Sequence, residues 1–391
     1  MINLRENKSK MPAFLRSGFR VLFFVAGLGS SFLMLAWLLF FTQAINVEFN
    51  TYYWHAHEMI FGYTMAVIVG FLLTATQNWT KLKTINGYPL LSLGVAWLIA
   101  RVLSVVGYDY IWYQLIADLA FLLFSLLFIA IPIIKAKNWQ NLPIVFKLLT
   151  FVIADILFYI GALGYMENGQ YLGIYIAFYT VVALILMMIR RLIPFFIENA
   201  VSANIQLKNF KFLDLSSLVL FVIFAIDSIF FKTYITQISA LFLFVIHSIR
   251  MFYWYCHEIW RKPLIWGLYV AYGMINFAFL LIIIDYFITL PQNTITHSFA
   301  IAIGLITLSM MSRVSLGHTG RNVFSPPKML GVIFTMLVLV FAFRVIAVLF
   351  WGEYYSQFII ISQLLWIIAF GLFVFIYGKM FFQKRIDGSF G

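Results

Sequence analysis

The chain is poor in charge and in cysteine. Of its 391 residues only 10% are Asp, Glu, Lys or Arg, acidic residues number 14, and there is one cysteine, Cys256. A single cysteine excludes an intrachain disulfide and a Cys-based cluster or zinc site within one chain. Cys256 reads as a small packing residue. No polar stretch is long enough to fold as a separate soluble domain, and there is no low-complexity tract. What is present in excess is apolar: 64% of residues are hydrophobic and 19% aromatic. Soluble domains run near half apolar and a quarter charged. A bilayer can cover this much apolar surface, whereas a soluble core of this length cannot.

A helix that crosses a bilayer needs roughly 20 mostly apolar residues. Twelve such runs are predicted, near 18–44, 57–77, 89–107, 112–134, 144–166, 171–197, 213–231, 236–256, 264–288, 296–316, 329–350 and 357–381. The expected fold is an all-α membrane protein: a polar segment 1–17, one twelve-helix domain 18–381, and a tail 382–391. The first run is too long for a cleavable signal peptide. The net charge of +12 does not point to nucleic acid. Alternate loops hold 23 of the 26 Lys and Arg. That alternation follows the positive-inside rule over an even number of spans, and places both termini in the cytoplasm. The second, sixth and tenth runs are about 120 residues apart, and Met187 to Arg190 and Met310 to Arg313 end two of them alike. This spacing is compatible with three four-helix units.

Ionisable side chains inside a bilayer are costly and usually face the bundle interior or a cavity. Six histidines matter: His55, His57, His247, His257, His297 and His318. In the expected topology His55, His57 and His297 lie at outer helix ends, His247 near mid-membrane, and His257 and His318 at cytoplasmic ends. His257, among Glu258, Arg261 and Lys262, reads as interfacial. His318 could simply cap a helix C-terminus. His55 and His57 are about 200° apart if both are helical, so one ion would not take both; with His55 still in the loop, both could converge. Glu58 follows directly and could orient an imidazole. Arg101 and Arg344 lie inside spans and need anions. Structural pairing with Asp118, Asp227 or Asp285 is one reading. The other is an anionic cofactor such as haem, whose propionates they would hold. Neutral imidazole suits iron, copper and zinc, and facing histidines in an apolar bundle suit haem b.

The string His55-Ala56-His57-Glu58-Met59-Ile60-Phe61-Gly62-Tyr63, with Gly70 to Ala75 and Asn78-Trp79-Thr80, resembles the signature of the NnrS family. So do Trp97 to Arg101, Arg191-Leu192-Ile193-Pro194-Phe195-Phe196, His247-Ser248-Ile249-Arg250, and Arg313-Val314-Ser315-Leu316-Gly317-His318-Thr319-Gly320-Arg321. The matches run in order through most of the chain. The resemblance implies a polytopic bacterial inner-membrane protein that binds haem and copper, associated with denitrification and nitric oxide stress. Five positions match family histidines: His55, His57, His247, His297 and His318. The chain departs from the family at Tyr269, where a histidine is frequent nearby, and at Met188-Ile189, in place of a double glycine. A second resemblance, of architecture only, is to haem-copper oxidases and nitric oxide reductases, with three four-helix arcs and histidines at the ends of the second and tenth helices. The adjacent histidine pair of their copper centre is absent here.

These readings converge on a membrane protein of nitrosative stress resistance. Haem b and copper are its expected cofactors. His57 and His297 are expected as ligands, with His55, His247 and His318 as further ones. Arg101 and Arg344 would hold propionates, and Glu58 would orient a histidine. Arg191, Arg250, Arg313 and Arg321 complete the motifs. The lipid bilayer is a partner, and nitric oxide and quinol are candidate substrates of a haem-dependent oxidoreductase. The alternative is a transporter of a metal, haem or metal–ligand complex, since His57, His247 and His318 stand at outer, middle and inner depths.

Overall fold

The computed structural model describes residues 11–201 and 206–389. Arg5, Lys8 and Lys10 of the basic N-terminal segment lie outside the described residues. Twelve helices are long and apolar enough to span a membrane. We number them α1 Gly18–Phe41, α2 Thr51–Thr80, α3 Tyr88–Val106, α4 Tyr108–Lys135, α5 Trp139–Ala162, α6 Gly169–Ala200, α7 Lys211–Phe231, α8 Ile235–Trp254, α9 Pro263–Phe287, α10 Thr294–His318, α11 Met329–Phe350 and α12 Gly352–Phe382. No strand occurs among the described residues. Every predicted run has its helix. The largest boundary difference is at α2, which starts six residues before the predicted 57 because the Asn50 side chain accepts hydrogen bonds from the Tyr52 and Tyr53 amides. That cap satisfies the first orphan donors of the helix. It draws Tyr52, Tyr53 and Trp54 into the helix.

The helices group into two compact units. The first contains α1 to α5 and the segments Met310–Val323 and Ile367 onward, with the start of α6. Its core holds Phe19, Phe23, Tyr63, Phe121, Phe151 and Tyr377. Close packing there depends on Gly29: a Cβ on it would meet the Trp97 ring at 2.6 Å. The second unit is Tyr179–Ser309 with Phe324–Trp366, built around Phe224, Phe279, Phe299 and Phe334. Large apolar side chains such as Ile116 and Phe375, 64% and 78% exposed, cover the outside. Lipid tails are the solvent that such a surface suits.

Three stretches are wound as π-helix: Glu58–Thr64 in α2, Asp227–Phe231 in α7 and Ala342–Ala347 in α11. Each carries a buried ionisable residue, Glu58, Asp227 or Arg344. Such turns are rare and frequent at functional sites. Asp227 has a structural explanation. Its carboxylate accepts from the amide and hydroxyl of both Thr233 and Thr236, and so caps the start of α8. The other two do not.

Candidate functional site

Within the first unit, four helices point ionisable side chains at one another. Three of them do so through residues four apart, which share a helix face. α3 gives Trp97 and Arg101, α4 gives Gln114 and Asp118, and α5 gives Asp155 and Tyr159. α2 gives the neighbours His57 and Glu58, where its π turn begins. None of His57, Glu58, Arg101, Asp118, Asp155 and Tyr159 is more than 2% exposed.

The contacts form one chain. His57 Nε2 is 2.9 Å from Asp155 Oδ1, and Nδ1 is 3.0 Å from Glu58 Oε1. Arg101 donates through one nitrogen to both oxygens of Asp118, at 2.5 and 2.6 Å, and stands 3.2 Å from Glu58 Oε2. Tyr159 donates to Asp118 at 2.7 Å, and Gln114 reaches Glu58 at 3.4 Å. Phe158 stacks on the His57 ring at 4.2 Å, with Phe61 tilted against it at 4.8 Å. Gly62 leaves the space that Arg101 fills, since a Cβ there would lie 2.7 Å from the guanidinium. The Trp97 indole donates to the Gly62 carbonyl at 2.8 Å, satisfying a carbonyl at the π turn.

Charge and proton counts follow. A carboxylate faces each nitrogen of His57. If both are ionised, both nitrogens must donate, and only the imidazolium has two N–H groups. Even so, three carboxylates then face two cations. An excess charge in a buried, apolar bundle is strongly unfavourable. One more positive charge balances the cluster, either a further proton or a divalent cation that replaces the proton on the ligating nitrogen of His57. Donor atoms of His57, Asp118 and Asp155 lie within 4.8 Å of one another. These three residues would hold such a cation, whose bonds to imidazole nitrogen and carboxylate oxygen run at roughly 2.0–2.2 Å, so the side chains would have to draw in. Asp155 Oδ2 has no hydrogen-bond partner among the described residues.

The other expected residues are placed elsewhere. His55 stacks on Trp37 at 4.7 Å, turned away from His57 as helical geometry requires. His247, fully buried in the second unit, meets the Tyr272 hydroxyl through Nδ1 at 2.6 Å. Its Nε2 is without a hydrogen-bond partner among the described residues. His297 directs Nδ1 to the Asn293 carbonyl at 2.8 Å. His318 packs against Phe19 at 5.6 Å, and its carbonyl accepts from Arg385. His257 is exposed, in keeping with the interfacial reading. Arg250 and Arg190 share Asp214, at 2.8 and 3.0 Å. Arg321 holds Gln383 at 2.7 Å. Arg191 is exposed and Arg313 half-buried. Arg344 donates only to Tyr355.

Two expectations change in substance. Arg101 is occupied by Asp118 and Glu58, the structural pairing weighed above, and does not stand clear for a propionate. His57 has a carboxylate on each nitrogen and rings against its faces, so this arrangement suits a small cation better than a haem iron. Asp155, Gln114 and Tyr159 were missed. Asp155 is a charge in the middle of a predicted span, and that signal could have found it.

Comparison with known proteins gives one family. The family described as NnrS protein matches residues 13–385, nearly the whole chain. No curated protein matches.

Proposed function

The chain belongs to the NnrS family, membrane proteins of the nitric oxide response, and from that premise we propose that it is a metal-dependent member whose working centre is the His57 cluster. One observation carries the reading: three buried carboxylates face one guanidinium and one imidazole. The missing positive charge is a cation of the protein's function. An imidazole nitrogen with carboxylate oxygens suits copper(II) or zinc. Copper is the redox-active choice of the two, and nitric oxide is a radical whose chemistry runs in one-electron steps. Arg101 and Tyr159 hold Asp118, and Glu58 holds the His57 ring, so these partners would orient the ligands as they draw in on the ion. The cluster lies near the end of the spans that the Lys and Arg alternation puts outside an inner membrane.

Haem b is the second cofactor in this reading. His297 fits it better than His57. A bond from Nδ1 to a carbonyl puts the ring lone pair on Nε2, the arrangement common among metal-ligating histidines. His247 Nε2, a buried imidazole nitrogen, is a further candidate ligand. Haem bound there would supply an iron able to bind nitric oxide or pass an electron.

The test is copper and haem quantitation on detergent-purified protein, with oxidised and reduced visible spectra. Near one copper per chain is expected. Asp155→Asn and His57→Gln should each weaken copper binding by at least about 100-fold. Copper content unchanged in both variants sinks the assignment. Metal or haem that leaves freely during purification would favour transport.

A further inference from the structure

Arg344 is the one buried arginine of the second unit that lies in a π turn, and it is 6% exposed. No carboxylate stands within ion-pair distance of it among the described residues. Its NH2 donates to the Tyr355 hydroxyl at 3.2 Å, and the guanidinium lies over the Tyr355 ring, 5.1 Å from its centroid. NH1 is shut from solvent and has no hydrogen-bond partner. An unpaired guanidinium in an apolar bundle is costly, and a structural role is met elsewhere in this chain by paired arginines. We infer that Arg344 and Tyr355 form a binding site for a planar two-oxygen anion, a carboxylate or nitrite.

The donor geometry selects that class. A guanidinium is a rigid planar fork matched to two oxygens in one plane. Because Arg344 donates to the Tyr355 oxygen, the hydroxyl hydrogen is directed elsewhere and can meet the same anion. The site thus offers NH1–H and Tyr O–H to one ligand. Tyr355 begins the helical run after the Gly352–Tyr354 turn and is half-buried. Its ring covers the guanidinium. The π turn is part of the design, since it re-aims the residues it contains relative to a regular helix. The site stands apart from the copper reading of the His57 cluster, and its failure would leave that reading intact. Two sources share the chemistry: a free small anion, and the carboxylate of a bound haem.

Calorimetric titration of the purified full-length protein with sodium nitrite, and separately sodium acetate, tests it, with haem content measured on the same samples. Saturable nitrite binding that weakens about 10- to 100-fold in Arg344→Gln and about 5- to 10-fold in Tyr355→Phe identifies a free oxyanion. No nitrite binding, but haem content lowered in both variants, identifies a haem carboxylate. If neither anion binding nor haem content responds to either substitution, the site does not exist. Tyr355→Phe keeps the ring beneath the guanidinium, so it carries the test should Arg344→Gln fail to fold.

Discussion

Arg101 and Arg344 are both buried guanidinia in apolar spans: Arg101 packs against Gly62 of one π turn and shares Asp118 with Tyr159, and Arg344 lies within another and donates to Tyr355. Arg101 meets two carboxylates, and its surroundings carry negative charge in excess. Arg344 meets none, and its surroundings carry one positive charge in excess. In water the difference would hardly matter. In a bilayer each imbalance must be closed by something the chain does not supply. The pair therefore teaches what kind of ligand each unit lacks: a cation in the first, an anion in the second.

Substitution should separate the two most clearly. Arg101→Met leaves Glu58 and Asp118 without their cation and is expected to destabilise the protein by about 3–5 kcal/mol, read as thermal unfolding in detergent. Arg344→Met, with no anion added, should be neutral or stabilising by roughly 1 kcal/mol or more, because it removes a charge that has no partner. Equal losses from both would break the comparison. Tyr159→Phe removes the hydroxyl that holds Asp118 at 2.7 Å, with an expected cost of about 1.5–3 kcal/mol. Added copper should recover part of that loss in Tyr159→Phe and none in Asp155→Asn, where a ligand itself is gone. Next comes Gly62→Ala, whose methyl would press on Arg101 at 2.7 Å. Overpacking of this kind costs about 1–3 kcal/mol, and here it should also lower copper retention by displacing Arg101 from Glu58.

Sequence alone reached the fold because apolar runs and their basic loops are local signals. It set His55 and His57 on opposite sides only for the case that both are helical, since that follows from 100° per residue, and it weighed Asp118 as a partner of Arg101. It did not reach the cluster. Asp155 was passed over as one charge in an apolar run, although Asp155 and Tyr159, Gln114 and Asp118, and Trp97 and Arg101 share an i, i+4 spacing. Which of those faces turn toward one another is a property of helix packing. The π turns were equally hidden, because nothing in Glu58 to Thr64 or Ala342 to Ala347 marks a five-residue hydrogen-bond step. His57 was assigned to iron on its place at a helix end, and the two carboxylates that meet it come from its neighbour in sequence and from a helix nearly 100 residues later.

The smallest effect is expected where an ion pair is wet. Beyond α12, Arg385 and the Ser389 amide and hydroxyl bind Asp387, and these bonds hold its carboxyl well below the usual carboxylate range. A carboxyl lowered in this way contributes above its unfolded value, and the contribution is lost only as pH falls through the folded one. The contacts also dock the tail, since the Ile386 amide donates to the Thr319 carbonyl at 3.2 Å, and Gly320, at φ +77°, leaves the room that Asp387 takes. Hydrogen exchange at the Ile386 amide, corrected for intrinsic rate, should therefore be unchanged between about pH 7 and 3, a range in which an ordinary aspartate takes up its proton. Asp387→Asn should raise it across that range by a few-fold, the scale of an exposed pair. Exchange that rises in the native chain as pH falls through about 4 would mean that Asp387 titrates as an ordinary surface acid. The contrast would then sharpen: among the carboxylates compared, only those of the His57 cluster would be held in place by their partners.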